Sequence, residues 1–260
     1  NTFIVGAHDP ASGGKGAGAA RCAWLADGAS LSGFTLTNGW TATNAVEAYG
    51  GGVWCQSTNA LIERCVLSGN SANSGGGAYR GTLFLCEIAG NKASDVGGGA
   101  YASRLDACVI TGNEAHFGGG AYEGLLYSCQ LSGNAAIGQG GGAYGGALNN
   151  CSFFGNTADR GGGVAGFPEM ANCIVYYNRA LSSDPNLCVY NSTNLLNLCV
   201  VPAPAAGSGH ITNAPLVTGI ANPRLLPGSP CINAGMNQPW MTNAVDCLER
   251  TRIMYGTVDI

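Results

Sequence analysis

The chain has 260 residues, of which 43 are glycine and only 10% are charged, and its formal net charge is −4. This length allows one or two domains with a sizeable core. The low charge and the lack of a Lys/Arg cluster argue against a nucleic-acid partner, because a nucleic-acid groove needs a basic stripe. Glycine-rich chains are often disordered, but here Val, Ile, Leu, Cys, Tyr and Phe recur in phase, which is typical of a packed interior.

The first predicted elements are irregular. Residues 1–5 read as a strand, and the Gly/Ala-rich residues 6–20 as a loop. Residues 33–39 then give a strand that ends at an Asn, and residues 50–54 give a glycine-rich turn that ends at Trp54. These segments are imperfect copies of a unit that becomes regular from about residue 50.

The regular unit is a repeat of 21–22 residues, marked by a Gly-Gly-Gly tripeptide. The triplets begin at Gly75, Gly97, Gly118, Gly140 and Gly161. A Tyr keeps the same step at Tyr79, Tyr101, Tyr122 and Tyr144. So does a Cys at Cys65, Cys86, Cys108, Cys129, Cys151 and Cys173. An Asn recurs at Asn70, Asn91, Asn113, Asn134, Asn156 and Asn178, each followed two places later by Ala. Such self-similarity indicates a solenoid.

The repeat predicts an all-β fold, a right-handed parallel β-helix. A leucine-rich repeat has a similar period, but its long return segment is replaced here by glycines and short Asn/Ser/Ala stretches, in which a helix would not persist. Around Cys86, apolar residues alternate with polar ones in the period of two that half-buried strands show. Three positions of each unit should point inward: the Cys, the Ile or Leu two places after it, and the Ala that follows the Asn. We expect the second and third Gly of each triplet to adopt turn conformations that other residues avoid.

Coils of equal length place like residues about 4.8 Å apart. The Asn residues should therefore form a ladder in which side-chain amides bond from coil to coil at a turn. The Tyr residues should form a stack of rings. In the same way, Lys92 should lie beside Glu114 and form a weak ion pair between coils.

The twelve cysteines favour an oxidising compartment, because none forms a CxxC pair or a zinc-finger spacing with His. We interpret the ladder as free thiols that act as small apolar groups. Its spacing also allows the disulfides Cys65–Cys86, Cys108–Cys129 and Cys151–Cys173. Disulfides are expected among four cysteines in irregular sequence, which are Cys188, Cys199, Cys231 and Cys247.

The repeat dissolves after Asn178. We therefore divide the chain into parallel β-helix coils at 1–180 and irregular C-terminal coils with a disulfide-containing cap at 181–260, both within one continuous domain. A solenoid needs a cap because its last coil exposes both core and strand edge.

Two motifs support a resemblance to known proteins. The Gly-Gly-Gly-Ala-Tyr and Gly-Asn-x-Ala units resemble repeats of bacterial polymorphic outer-membrane proteins. The string Ser229–Gly235, with Asp246, Arg252 and Val258–Ile260, is similar to the C-terminal signature of choice-of-anchor β-helix surface proteins, although Glu249 stands where that signature usually has Gly. The resemblance covers most of residues 20–260. It implies a pectin-lyase-like fold and a location outside the cell or on the bacterial outer surface, and it implies no particular activity.

Parallel β-helices also include polysaccharide lyases and hydrolases, so we sought clustered acids and bases. Glu87 and Asp106 are the nearest acids that the repeat places on one face, and Asp95 is set close to His116. Each pair is more typical of a solvated surface than of an active site. No Ser-His-Asp triad, Asp-rich calcium loop, metal site or cofactor site is predicted.

Aromatic residues offer a different hint, since outward rings can stack on sugars or contact a neighbouring domain. The candidates are Trp40, Phe84, Tyr127, Phe153, Phe154, Tyr176, Tyr177 and Trp240. The sequence therefore predicts a non-enzymatic extracellular or cell-surface structural or adhesive module, whose partners are an extracellular polysaccharide or a host or neighbouring surface. The alternative is a polysaccharide-binding or polysaccharide-degrading protein. The sequence contains no stretch of about 20 apolar residues, so no membrane-spanning helix is predicted.

Overall fold

The computed structural model describes residues 2–43, 47–190, 192, 194–254 and 256–260. Asn1, the first residue of the predicted first strand, lies outside the described residues. The fold is a parallel β-solenoid of about seven turns, with coils of about 22 residues and 2% helix. The predicted parallel β-helix is confirmed.

Each of the central coils contributes one short strand to each of four parallel sheets, numbered I to IV in their order along a coil. Sheet I contains Ala23–Leu25, Val53–Cys55, Ala78–Tyr79, Ala100–Tyr101, Ala121–Tyr122, Ala143–Tyr144, Val164–Gly166 and Leu187–Val189. Sheet II contains Ser30–Ser32, Leu61–Glu63, Thr82–Phe84, Arg104–Asp106, Leu125–Tyr127, Ala147–Asn149, Glu169–Ala171 and Leu195–Leu196. Sheet III contains Thr2–Val5, Phe34–Thr37, Val66–Ser68, Glu87–Ala89, Val109–Thr111, Gln130–Ser132, Ser152–Phe154, Ile174–Tyr176 and Cys199–Val200. Sheet IV contains Ser71–Ala72, Lys92–Ala93, Glu114–Phe117, Ala135–Gln139, Thr157–Arg160 and Arg179–Ser183.

The core lies inside this four-sided tube. In one coil, Leu83 of sheet II, Cys86 at the next corner and Ile88 of sheet III are all buried, and the same positions are buried in the neighbouring coils. Ala93 of sheet IV is also buried. The predicted inward positions are therefore confirmed, and the three-residue strands of sheets II and III turn their middle residue toward the core.

The corners of the tube are made by residues in the left-handed region. Gly90 and Gly97 have φ values of 62° and 64°, and Arg80 and Leu85 have φ values of 56° and 52° in the same coil. Two of the four corners thus accept residues other than glycine, although a left-handed residue with a side chain costs about 1 kcal/mol.

The second and third glycines of each triplet have a different role from the one predicted. A Cβ on Gly98 would lie 2.4 Å from the carbonyl oxygen of Glu114 and 2.5 Å from that of Gly119. A Cβ on Gly99 would lie 2.5 Å from the oxygen of Gly120. Only the first glycine, such as Gly97, has a positive φ. The other two are glycine because the coils approach too closely for any side chain.

The Asn ladder forms as predicted. Asn91 Nδ2 donates to Asn113 Oδ1 at 3.0 Å, and Asn113 Nδ2 donates to Asn134 Oδ1 at 2.9 Å. The ladder continues upstream to Asn70 and downstream to Asn178. These amides are almost completely buried, so the ladder satisfies polar groups that have no access to water.

The aromatic ladder also forms, on the outer face of sheet I. The ring centroids of Tyr79 and Tyr101 are 5.4 Å apart, those of Tyr101 and Tyr122 are 5.6 Å apart, and those of Tyr122 and Tyr144 are 5.2 Å apart. On sheet IV, Lys92 Nζ lies 2.9 Å from Glu114 Oε2, which confirms the predicted ion pair between coils.

The prediction of disulfides is wrong, since all twelve cysteines are free and no two sulfur atoms are at disulfide distance. In the ladder, Cys108 Sγ contacts the carbonyl oxygen of Leu83, and Cys129 Sγ contacts that of Leu105, both at 3.3 Å. The thiols therefore contact backbone carbonyl oxygens of the preceding coil, which agrees with the interpretation of the ladder as free thiols. The C-terminal cap contains no disulfide either: Cys188 lies beside the Tyr190 hydroxyl, and Cys199 and Cys231 are free within one apolar cluster.

The C-terminal segment, residues 208–260, leaves the tube after the last coil strands. Isolated parallel bridges pair Ser208 with Leu196 and Ile211 with Cys199, so the segment first covers the open edges of the last coil. It then packs on the outer face of sheet III, where Phe154 and Ile174 are buried beneath it. It contains the 3₁₀ helix Pro239–Asn243 and a hairpin of Ile253–Met254 and Thr257–Val258.

Candidate functional site

A pocket of about 260 Å³ lies where the C-terminal segment meets sheet II. We call it the Trp240 pocket. Its lining includes Phe84, Arg104, Asp106, Tyr127, Ser128 and Trp240. The sequence had suggested Asp106 as a weak catalytic candidate and three of these aromatic residues as outward rings, and the structure brings them together.

The repeat explains how sheet II presents its side of the pocket. Phe84, Asp106 and Tyr127 are direct neighbours in the sheet, each at the last position of its strand. The preceding residue of each strand is a buried leucine, so these three side chains point outward. Arg104, two residues before Asp106, lies on the same outward face.

Asp106 is held in an unusual electrostatic environment. Its Oδ2 accepts a hydrogen bond from Arg104 Nε at 2.8 Å, whereas its Oδ1 is buried and has no hydrogen-bond partner. Burial raises the pKa of Asp106, and the hydrogen bond from Arg104 opposes this rise. The carboxylate thus retains a free acceptor in a partly desolvated position.

The aromatic side of the pocket is also ordered by contacts. The Arg104 guanidinium lies 4.8 Å from the centroid of the Tyr127 ring. The Tyr127 and Trp240 rings meet edge to face with centroids 5.0 Å apart, and Trp240 Nε1 donates to Gln238 Oε1 at 2.8 Å. Rings beside a hydrogen-bond acceptor suit a ligand with an apolar face and hydroxyl groups.

The pocket does not supply the acid pair that a glycosidase uses. Among its described lining residues Asp106 is the one carboxylate, whereas glycoside hydrolysis needs two at roughly 5–10 Å. Binding is therefore the chemistry that this arrangement favours.

The predicted placement of Glu87 and Asp106 on one face is wrong. Glu87 belongs to sheet III and Asp106 to sheet II. A corner separates the two sheets, at Leu85 in one coil and Ala107 in the next, where φ is 52° and 53°. The period-two pattern runs through this corner without a glycine to mark it, so the two strands read as one in the sequence.

Asp95 and His116 are neighbours through the backbone. The His116 N–H donates to the Asp95 carbonyl oxygen at 2.9 Å, and both side chains are exposed. The His116 ring packs on the Phe117 ring with centroids 4.5 Å apart. In the part of the chain that the structure describes, no ion pair joins the two side chains.

The remaining aromatic candidates lie elsewhere. Phe153 is in the core, and Phe154 is covered by the C-terminal segment, so neither is available to a ligand. The Tyr176 hydroxyl donates to the Thr212 carbonyl oxygen, and Tyr177 is half exposed beside it. Trp40 packs against His8 near the start of the chain.

A second cavity, of about 250 Å³, adjoins the Trp240 pocket, and Ser128 lines both. We call it the Arg252 cavity. It lies between the flank of the coils and the C-terminal segment, and its lining includes Gln130, Ser152, Asp246 and Arg252. Sequence reasoning did not find this site, because Arg252 had drawn notice only as part of the C-terminal string.

The fold and these two cavities define the chain as a parallel β-solenoid protein with recesses beneath its C-terminal segment. No protein-family model, curated protein or solved structure matches the chain. Within the described ranges, no helix is long and apolar enough to span a membrane, and no group of three or more His, Cys, Asp or Glu residues is arranged to hold a metal ion.

Proposed function

We propose that the chain is a non-catalytic structural or adhesive module of a protein exported by a bacterium or displayed on its surface. The observation that carries this proposal is the unbroken Asn ladder from Asn70 to Asn178, which joins successive coils through buried amides. A stack joined in this way is a stiff spacer, because bending it would break hydrogen bonds that water cannot replace.

The location outside the cell depends on the resemblance to polymorphic outer-membrane and choice-of-anchor β-helix proteins. The repeats and the string Ser229–Gly235 are the residues that support it. Because all twelve cysteines are free, disulfide bonding no longer supports an oxidising compartment.

The location is tested by labelling intact source cells with an antibody against the coils, before and after protease treatment. Signal on intact cells that protease removes, or the chain in the culture medium, would support the proposal. Signal that appears only after lysis would contradict it. Incubation with a panel of acidic and neutral polysaccharides tests the absence of catalysis. New reducing ends, or absorbance of unsaturated products near 235 nm, would overturn that part of the proposal.

A second candidate function is saccharide binding in the Trp240 pocket. The specific observation in its favour is the free Oδ1 of Asp106 beside the edge-to-face pair of Tyr127 and Trp240. A carboxylate oxygen accepts hydrogen bonds from sugar hydroxyls, and an aromatic ring packs on the apolar face of a sugar.

A glycan array followed by titration calorimetry tests this candidate. We expect Trp240→Ala and Asp106→Asn each to weaken binding of a glycan hit at least tenfold. Phe167→Ala is the matched control, because Phe167 is an aromatic residue that is 64% exposed and is not among the pocket residues. No hit on the array, or equal binding by all variants, would refute a saccharide site in this pocket.

A further inference from the structure

The Arg252 cavity contains a cation that forms no direct ion pair among the described residues, although the charges of Asp246 and Asp259 act on it and partly oppose the lowering of its pKa by burial. The Arg252 side chain lines the cavity, and its Nε is buried without a hydrogen-bond partner. None of the ion pairs among the described residues includes Arg252. Burial lowers the pKa of this guanidinium. An unpaired buried charge is costly, and natural structures usually compensate it.

The two carboxylates that line the cavity are engaged by the backbone. Asp246 Oδ1 accepts hydrogen bonds from the N–H groups of Leu248 and Arg250 at 2.8 and 2.9 Å. Asp259 Oδ1 accepts one from the Asn233 N–H at 2.7 Å. These contacts hold the turns of the C-terminal segment, and neither carboxylate forms a direct hydrogen bond or ion pair with the guanidinium, on which both act through their charge.

A second unpartnered group lines the same cavity. The Ser128 Oγ is buried and has no hydrogen-bond partner. Ser128 stands at a left-handed corner of the coil, with φ of 54°, and corresponds to Ala107 of the preceding coil. The repeat needs no hydroxyl at this position. A hydroxyl without a partner in the same cavity as an arginine without a hydrogen bond at its Nε indicates a ligand that accepts hydrogen bonds.

The charge of the lining defines the ligand further. Arg224, Arg250 and Arg252 line the cavity together with Asp246 and Asp259. A monoanion meets less repulsion from these two aspartates than a dianion would. A planar guanidinium fork matches a carboxylate in shape.

We propose that the Arg252 cavity binds one small carboxylate, held by the Arg252 guanidinium and by a hydrogen bond from the Ser128 hydroxyl. The cavity's volume of about 250 Å³ fits a carboxylate with a few further atoms. This binding site goes beyond the structural role proposed above, and it does not depend on a saccharide in the Trp240 pocket.

The test uses acetate as the probe. Saturation-transfer NMR of the acetate methyl group and thermal unfolding in sodium acetate against sodium chloride of equal ionic strength measure binding to the whole chain. We expect saturation transfer to acetate and a higher Tm in acetate than in chloride, because a ligand that binds only the folded state stabilises it. Arg252→Gln should weaken acetate binding at least tenfold. Arg179→Gln is the matched control, because Arg179 is an exposed arginine on sheet IV, and it should bind acetate as the parent does.

Ser128→Ala provides a second variant if Arg252→Gln does not fold. It keeps the guanidinium and should weaken acetate binding several-fold. Addition of inorganic phosphate should displace acetate poorly, since the cavity favours a monoanion. The proposal is overturned if acetate and chloride give the same Tm with no saturation transfer, if Arg252→Gln or Ser128→Ala binds acetate as the parent does, or if phosphate displaces acetate at equal concentration.

Discussion

Asn113 donates two hydrogen bonds to the single Oδ1 atom of Asn134, one from its backbone N–H at 3.0 Å and one from its side-chain Nδ2 at 2.9 Å. The same Nδ2 donates to the Ile88 carbonyl oxygen at 2.8 Å. Each amide therefore bonds two neighbouring turns of the chain at one buried corner.

The first prediction concerns this ladder. Asn113→Ala removes the acceptor of the Asn91 backbone N–H and one acceptor of Asn91 Nδ2, and it removes one donor to the Ile88 carbonyl oxygen, all in the interior. We expect a loss of about 3 kcal/mol or more in the free energy of unfolding, because unsatisfied buried polar groups cost about 1–3 kcal/mol each. Urea unfolding followed by circular dichroism measures this loss. The matched control is Asn149→Ala, on the outer face of sheet II, which should change stability by less than about 0.5 kcal/mol. Equal effects of the two substitutions would show that the ladder does not stabilise the stack.

The second prediction separates the two roles of glycine. Gly98→Ala places a Cβ against two carbonyl oxygens at 2.4 and 2.5 Å, so coils must move apart, and we expect failure to fold or a loss above about 3 kcal/mol. Gly112→Ala meets no atom within 4 Å, and its φ of 61° should cost only about 1–2 kcal/mol. Soluble yield and unfolding midpoints of the two variants give the comparison. A larger loss for Gly112→Ala would contradict the steric explanation.

The third prediction concerns the thiols. Burial raises the pKa of Cys22 to about 11 and that of Cys55 to about 12, so both are protonated near neutrality. Since the thiolate is the reactive form, the folded chain should react slowly with Ellman's reagent at about pH 8. In denaturant, all twelve cysteine thiols should react with Ellman's reagent without added reductant. Fewer equivalents in denaturant, restored by reductant, would reveal disulfides and contradict the structure.

The fourth prediction follows from the raised pKa of Asp106 in the folded state. The unfolded carboxyl titrates near about 3.9. A folded pKa above this value means that the folded state holds the proton more tightly. The stabilisation is fully present below the unfolded pKa and is lost as the pH rises through the folded pKa.

The parent chain should therefore lose stability as the pH rises above about 4, and Asp106→Asn should lose less over the same range. Thermal unfolding at a series of pH values measures the difference. The hydrogen bond from Arg104 opposes the rise of the Asp106 pKa that burial causes. The size of the difference between parent and variant therefore also shows how far this bond offsets burial. Asp27→Asn is a control on an exposed acid. Parallel pH profiles of the parent chain and Asp106→Asn would contradict the raised pKa.

The sequence was sufficient to predict the coils because packing repeats in every turn. Cys86, Ile88 and Asn91 recur at a fixed step only if successive turns lie on one another, so the fold and both ladders could be read directly. The corner at Leu85 could not be predicted, because a residue other than glycine in the left-handed region leaves no mark in the sequence. For this reason the sequence analysis placed Glu87 on the same face as Asp106.

The cavities were harder to predict because they form between a periodic part of the chain and an irregular one. The phase of the repeat shows that Asp106 and Tyr127 point outward, but nothing in the phase shows that Trp240 covers them. The disulfides expected among Cys188, Cys199, Cys231 and Cys247 are absent, and irregular sequence does not show which side chains face each other. The ladder, interpreted as free thiols, illustrates the same difficulty. Sequence spacing gives the separation of two backbones, but it does not give the direction of the side chains, and the thiols point to carbonyl oxygens of the preceding coil.

Between the asparagine side chains of the ladder, each Nδ2 donates to the Oδ1 of the next coil and each Oδ1 accepts from the preceding coil. The side-chain dipoles therefore all point the same way along the axis, and they add instead of cancelling. The ladder consequently contributes a potential of opposite sign at the two ends of the stack. This contribution by itself favours a head-to-tail alignment of two such stacks over the opposite orientation.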